Sequence, residues 1–321
     1  MSKWHPNATL EIINLRAELL NKARQFFQSN NYLEVETPFL SRSTTPDPNI
    51  ESFITEFNQV QYYLHTSPEF PMKRLLASGS GAIYQICKVF RQGELGKNHN
   101  PEFTMIEWYQ PQLDYHGLMQ QLDKLVRVLL QDKIALKETV LYSYRQVFKD
   151  YLALDPFVDE KEQLLAIIQQ NNIQLYGNGA DLTKDALLDL LMTHLIQPRL
   201  PEACPVFIYD YPASQAALAN IRKDNVAVAE RFELFINSME LANGYQELLD
   251  ADEQQRRFES ENKIRSQSGQ QQIPIDKNLI AALNAGMPMT AGVALGFDRL
   301  IMLAAGVDSI SDILAFDIDG A

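Results

Sequence analysis

Two β-type runs joined by a short polar loop constrain this chain most. Along Ile83 to Arg91, strand alternation places Ile83, Gln85, Cys87, Val89 and Arg91 on one face. On the return run, Phe103, Met105, Glu107 and Tyr109 share a face. Between them lies Asn98-His99-Asn100-Pro101, whose residue types favour a loop. The pair therefore reads as strand–loop–strand and carries an arginine, a histidine, an aromatic ring and two acids. Phe103 and Glu107 lie roughly 13 Å apart along a strand that rises about 3.3 Å per residue. A ring at one end can stack on a base, and a carboxylate at the other can hold an ammonium. A hairpin alone equally suits a solvated surface. The order Phe-Arg, His-Asn-Pro-Glu-Phe, Glu-x-Tyr singles this one out.

Around this centre the chain reads as alternating helices and short strands. Leu10 to Gln28 is expected to be an amphipathic helix, with Leu10, Ile13, Ala17, Leu20, Ala23 and Phe27 on its apolar face. Tyr32 to Pro38 reads as a strand stopped by proline. Tyr62 to Thr66 is a second short strand, followed by Ser67-Pro68-Glu69 and a helix through Met72, Leu75 and Leu76. Residues 111–200 are mostly helical in pattern and read as an insertion packed on a catalytic sheet. β-type runs return from Cys204, and Ala251 to Ser266 reads as an exposed charged helix. An α+β domain built around an antiparallel sheet fits this succession.

Two further stretches carry chemistry. Asn237-Ser238 suits a two-residue hairpin turn, which sets residue 235 opposite residue 240. Glu233 and Glu240 then become diagonal neighbours, about 7–8 Å apart at the backbone. With no cation evident in sequence to neutralise both, such a pair suits Mg²⁺ shared with phosphates; alone, it equally suits a solvated acidic face. Strict alternation turns Glu247 to the opposite face unless Asn243-Gly244 forms a bulge. Gly292 and Gly296 punctuate a strand that runs into a helix opened by Asp298-Arg299, and the glycines let backbone approach a nucleotide closely. Locally, Glu69 is a helix N-terminal acid, and Asp298-Arg299 a cap with a surface cation.

Composition narrows the partners. The 321 residues carry a net charge of −13, and no cluster of Lys and Arg exceeds a pair. Grip on nucleic acid rests on basic surface, so tRNA or DNA is a poor expected partner. No apolar run approaches the roughly 20 residues of a membrane span. Met1 to Pro6 lacks the apolar core of a secretion signal. Cys87 and Cys204 are the only cysteines, which suggests no disulfide framework and no structural zinc.

The stretch Phe90-Arg91 through Tyr109 resembles motif 2 of the class II aminoacyl-tRNA synthetases, and Gly292-Val293-Ala294-Leu295-Gly296-Phe297-Asp298-Arg299-Leu300 resembles motif 3. The lysyl branch is the nearest. The helix, strand and proline of Leu10 to Pro38 are similar to motif 1, which builds that family's dimer interface. The resemblance implies a single α+β catalytic domain over residues 1–321, with an antiparallel β-sheet flanked by helices. It implies that Arg91 holds the α-phosphate of ATP and carries the transition state, with Arg299 clamping the ATP tail. His99 contacts the γ-phosphate, Asn100 lies beside the nucleotide and Phe103 stacks on adenine. Gln92, Gly93, Leu241 and Gly296 complete the ATP site, and Glu233 and Glu240 hold Mg²⁺. Ser67, Pro68, Glu69, Glu107, Tyr109, Asn243, Glu247 and Ala294 line the amino-acid pocket. Glu69, Glu107, Tyr109 and Glu247 would surround a substrate with two amines.

Two positions depart from the synthetase pattern. Gly93 stands where motif 2 has a glutamate, so either Glu94 substitutes through a local shift or the adenine amine is read by backbone alone. Ala294 stands where motif 3 has a glycine, and its methyl would crowd the pocket. The chain also begins just before motif 1, without the anticodon-binding barrel of lysyl enzymes. The alanine and the absent barrel are features of the elongation factor P–(R)-β-lysine ligases. That resemblance implies a cytoplasmic bacterial homodimer. It would activate (R)-β-lysine or lysine with ATP and Mg²⁺, and transfer it to a lysine of elongation factor P. The other expectations are a minimal tRNA- or ammonia-dependent class II enzyme and a non-catalytic amino-acid sensor.

Overall fold

The computed structural model describes residues 4–175, 182–223 and 225–321. They form two compact units, Met1–Ile134 with Gln246–Ala321, and Ala135–Tyr245. Residues 176–181 of the stretch expected to be a helical insertion lie outside the described residues, as do 1–3 of the N-terminal stretch.

The first unit opens with helix α1 (Leu10–Ser29), capped by the Thr9 hydroxyl, which accepts from Ile12 N–H. Its buried stripe is Leu19, Ala23 and Phe27, while Leu10 is exposed. Ala23 and Phe27 lie on the expected apolar face, whereas Leu19 is buried in place of Leu20 and Ala17 is exposed. Phe27 stacks on Tyr84 with ring centroids 4.3 Å apart and meets Trp108 edge-on at 5.3 Å. Strand β1 (Leu33–Glu34) is shorter than the expected Tyr32–Pro38, since it pairs in parallel with only Ile83 and Tyr84. A small three-stranded sheet follows: β2 (Leu40–Ser41), β3 (Ile54–Phe57) and β4 (Val60–Leu64), in the order β2-β4-β3.

Helix α2 (Glu69–Ala77) leads to β5 (Ile83–Phe90) and β6 (Glu102–Pro111). These are the expected antiparallel pair, with Gln85 opposite Glu107, Cys87 opposite Met105 and Val89 opposite Phe103. Helix α3 (Tyr115–Leu130) buries Leu118, Leu122, Leu125 and Leu129, a three- and four-residue spacing that gives a continuous apolar face.

The second unit contains β7 (Val140–Ser143), α4 (Tyr144–Leu152), α5 (Lys161–Gln170) and α6 (Lys184–Leu191). It continues through β8 (Val206–Pro212), β9 (Ile221–Lys223), β10 (Ala227–Ile236) and β11 (Met239–Gln246). Its strands run β7-β8-β10-β11, with β9 on the edge of β10. Phe148, Leu164, Leu188, Leu191, Val206 and Ile208 belong to its apolar core. The stretch 111–200 is thus divided, with α3 in the first unit and the remainder in the second.

The chain then returns to the first unit with α7 (Ala251–Gln267), α8 (Lys277–Gly286), β12 (Thr290–Gly296) and α9 (Phe297–Ala305). The expectation of an exposed α7 needs correction. The helix buries Gln254, Phe258, Asn262 and Arg265, and Arg265 Nη2 donates to both carboxylate oxygens of Glu51 at 3.0 Å. Its inward face is polar, so periodicity of apolar residues could not reveal it. Strand β12 pairs antiparallel with β6, setting Gly292 opposite Tyr109, Ala294 opposite Glu107 and Gly296 opposite Met105. Three rows of side chains from β5, β6 and β12 therefore share one face.

Candidate active site

In the first unit, the β6 face and the start of α2 bring together Ser67, Glu69, Glu107 and Tyr109, with Glu247 beside them. Glu107 accepts from Tyr109 Oη at 2.6 Å and from Ser67 Oγ at 2.7 Å. The same Ser67 Oγ accepts from Glu69 N–H at 3.0 Å, which fixes the first turn of α2 after Pro68. Glu69 is thus the helix N-terminal acid that local sequence suggests, and also a member of the cluster. Glu247 follows the end of β11 and donates its N–H to the Thr290 carbonyl at 2.9 Å.

The residue missed by sequence is Lys73. Its Nζ lies 2.5 Å from Glu69 Oε1 and 2.5 Å from Glu247 Oε2, and the side chain is 1% exposed. Glu69 and Lys73 are four apart on α2, a spacing that ordinarily reads as a solvated helix pair. Only the packing shows that it is buried. Burial pushes the Glu107 carboxyl up to about 7, with the Glu69 charge adding to the push and the Tyr109 and Ser67 hydrogen bonds working against it. Burial likewise raises Glu247, despite the opposing charge of Lys73. For Lys73, burial disfavours the charge, but Glu247 and Glu69 outweigh it and hold the ammonium above its ordinary range. These acids pack tightly. A methyl at Gly292 would overlap the Tyr109 ring and Glu247 Oε1. Gly292 therefore makes room for pocket side chains, where the sequence reading assigned it to nucleotide approach. Ala294 packs with Phe103 against Cys87, Val89 and Met105.

Further along the same strands stand the motif 2 and motif 3 groups. Arg91 follows β5, with its guanidinium 5.1 Å from the Phe103 ring centroid and Nη1 3.3 Å from Glu94 Oε1. Its Nε is buried with no hydrogen-bond partner among the described residues, a donor suited to an anion. Gly93 has φ +87°, a left-handed turn that brings Glu94 back to Arg91. Gln92 donates its N–H to the Glu51 carbonyl at 2.8 Å. His99 Nε2 lies 2.6 Å from Arg299 Nη2, so these two expected phosphate contacts stand together. Asn100 is buried, donating to the Glu102 carbonyl at 2.7 Å and accepting from Ile318 N–H at 3.2 Å. Asp298 is no simple cap. It is buried, accepts from Thr104 N–H at 2.7 Å, and pairs with Arg16 at 2.5 Å. Arg16, another residue without sequence signal, ties α1 to the base of α9.

In the second unit, the Asn237-Ser238 turn forms as expected, with both residues at positive φ and Phe235 opposite Glu240. The register then slips at Leu241, so Glu233 faces Asn243. The irregularity falls there, rather than at Asn243-Gly244, which pair regularly with Glu233 and Phe232. The reading of Glu233 as an acid without a nearby cation also needs correction. Arg231 Nη2 lies 2.5 Å from Glu233 Oε1, and Tyr211 Oη donates to Glu233 Oε2 at 2.6 Å. Arg231 also donates to Asn243 Oδ1 at 3.1 Å and to the Gln215 carbonyl at 3.0 Å. Burial pushes the Glu233 carboxyl up, Arg231 pulls it back and Glu240 adds to the rise. Alternation along β10 puts Arg231 and Glu233 on one face, so their spacing held this signal.

The fold and these motif positions agree with one family. The chain belongs to the class II tRNA synthetases of the D, K and N group, which it matches over residues 3–319. Within it, the chain is 44% identical to the elongation factor P–(R)-β-lysine ligase of Salmonella gallinarum, over 99% of this chain and 98% of that protein. It is also 44% identical to the enzyme of that name from Edwardsiella ictaluri, over 100% of this chain and 99% of the relative.

Proposed function

We propose that this protein activates (R)-β-lysine, or lysine, as an adenylate and transfers it to a lysine side chain of elongation factor P. What supports the substrate class is the buried cluster of Glu69, Glu107 and Glu247 in a synthetase fold. Carboxylates buried beyond their available cations favour a ligand with ammonium groups and reject neutral analogues, which leave them unpaired. The full-length similarity to proteins of that name supports the acceptor.

Adenylate formation begins when a substrate carboxylate oxygen attacks the α-phosphorus of ATP. The bond to the bridging oxygen breaks, and pyrophosphate leaves. Arg91 and Arg299 supply fixed positive charge for the phosphates, with His99 beside Arg299 and Phe103 offered to the adenine. Gln92, Gly93 and Gly296 would complete the nucleotide contacts of the first unit. Ser67 and Tyr109 orient Glu107. In the second half-reaction the acceptor ε-amine attacks the adenylate carbonyl. AMP leaves, and the amine sheds a proton as the amide forms. No side chain becomes covalently attached.

Mg²⁺ would be held by Glu240 and Glu233. The donor set fits an ion that takes one or two carboxylates and completes its shell with phosphate and water. Among the described residues no group of three or more His, Cys, Asp and Glu forms a metal cage. Glu233 reaches the ion only by sharing its carboxylate with Arg231. The bound ion supplies positive charge against the phosphates.

The acceptor is read as protein rather than tRNA, supported by the net charge of −13. A cytoplasmic homodimer is the expected form, supported by the exposed Leu33, Phe39 and Leu40 around the motif 1 strand. No helix among the described residues is long and apolar enough to cross a membrane. The test is the intact mass of elongation factor P after incubation with this protein, ATP, Mg²⁺ and either lysine isomer. A gain of one lysyl residue, larger with the β isomer, is expected. No gain with pyrophosphate still released would move the acceptor to tRNA.

A further inference from the structure

Lys73 contacts two acids of the pocket and leaves the third to neutral donors. Its ammonium touches Glu69 and Glu247, while Glu107 is held by Ser67 and Tyr109. A lysine that is 1% exposed cannot be there for solubility. Packing alone would be served as well by methionine or leucine, without the cost of desolvating an ammonium. The position therefore needs a charge.

The charge has a consequence for substrate choice. With all three carboxylates ionised, as an ammonium ligand requires, one lysine leaves the pocket at minus two. A substrate with two ammonium groups brings the buried cluster to neutrality, its own carboxylate being directed to the arginines. A substrate with one amine leaves a buried carboxylate without a counter-ion. Without Lys73, even a diamino acid would leave one. We propose that Lys73 is the positioning residue that sets the pocket's charge, acting through Glu69 and Glu247 to fix specificity for a substrate with two amines. The Lys73 charge also opposes the burial that raises Glu247 toward its protonated form, in which an ammonium acceptor becomes a competing donor. The inference rests on reading this cluster as the amino-acid pocket.

The test is ATP–pyrophosphate exchange by the full chain and its Lys73→Ala and Lys73→Arg variants. Substrates are (R)-β-lysine, lysine, and norleucine, which lacks the terminal amine. Lys73→Ala is expected to lose about 100-fold in kcat/KM for the diamino acids, mostly in KM, as for a buried acid deprived of its partner. Its preference for lysine over norleucine should fall at least about tenfold. Added n-propylammonium should restore a large part of both, and n-propanol neither. Lys73→Arg keeps the charge and should keep the preference; it decides alone if the alanine variant does not fold. A folded Lys73→Ala with wild-type preference, or one indifferent to propylammonium, would overturn the inference. So would a folded Lys73→Arg that has lost the preference. Wild-type protein that exchanges with neither diamino acid would overturn the pocket reading itself, and this inference with it.

Discussion

The two units each bury carboxylates, and they compensate them differently. In the second unit Glu233 has its own arginine and a phenol, so both carboxylate oxygens are engaged within the protein. In the first, Glu69 and Glu247 share a single lysine while Glu107 has only neutral donors, and the cluster stays short of positive charge. A saturated carboxylate contributes to the fold, and breaking its pair leaves a naked buried charge. A cluster left in deficit holds a standing preference for cations, at a cost to the ligand-free state. The contrast separates two uses of the same residue type that composition cannot distinguish.

Removing the cation from the saturated site gives the largest effect. Arg231→Met should cost about 3–5 kcal/mol of stability, because Glu233 is left buried against Tyr211 alone. Chemical denaturation measures it, and a loss under about 1 kcal/mol would show that Glu233 is not committed to the fold.

Arg91→Ala lies outside both clusters and tests the chemistry. Its loss should raise the barrier to adenylate formation by about 3–4 kcal/mol while leaving stability near wild type. Pyrophosphate exchange at saturating lysine is the readout; turnover at the wild-type rate would remove Arg91 from the mechanism.

The deficit in the first unit should also appear as a pH dependence. Glu107 binds its proton more tightly folded than unfolded, so its contribution to stability is present at low pH. That contribution is lost as pH rises from the ordinary carboxylate range through about 7. The melting temperature of ligand-free protein should fall across that window. A diamino acid should raise it more above the window than below, since only ionised Glu107 gains from an ammonium. Glu107→Gln should flatten both trends; an unchanged slope would place the titrating group elsewhere.

Ala294→Gly is the smallest change. It removes one methyl from the row shared with Glu107, and should alter the ratio of lysine to (R)-β-lysine use by about 1 kcal/mol, in favour of lysine. An unchanged ratio would mean that the methyl does not face the substrate.

Much of this was legible in the residues themselves. Alternation fixed the β5–β6 pair and its register, because a strand slipped by one residue would turn Glu107 and Phe103 to the other face. The Asn237-Ser238 turn followed from residues that accept positive φ, and it set Phe235 opposite Glu240. The motif order was sufficient to name the fold family before any distance was known. What sequence could not decide was which charge meets which. Lys73 and Arg16 lie on helices whose local pattern treats them as ordinary surface cations, and Arg265 sits on a helix that looks fully solvated. Their partners come from elsewhere in the chain: Glu247 for Lys73, Asp298 for Arg16 and Glu51 for Arg265. The Leu241 bulge is likewise set by pairing with β10 rather than by its own residue type. Periodicity reports backbone geometry and the burial of apolar faces, because those are local. The compensation of buried charge depends on contacts between distant segments, and only the tertiary structure decides it.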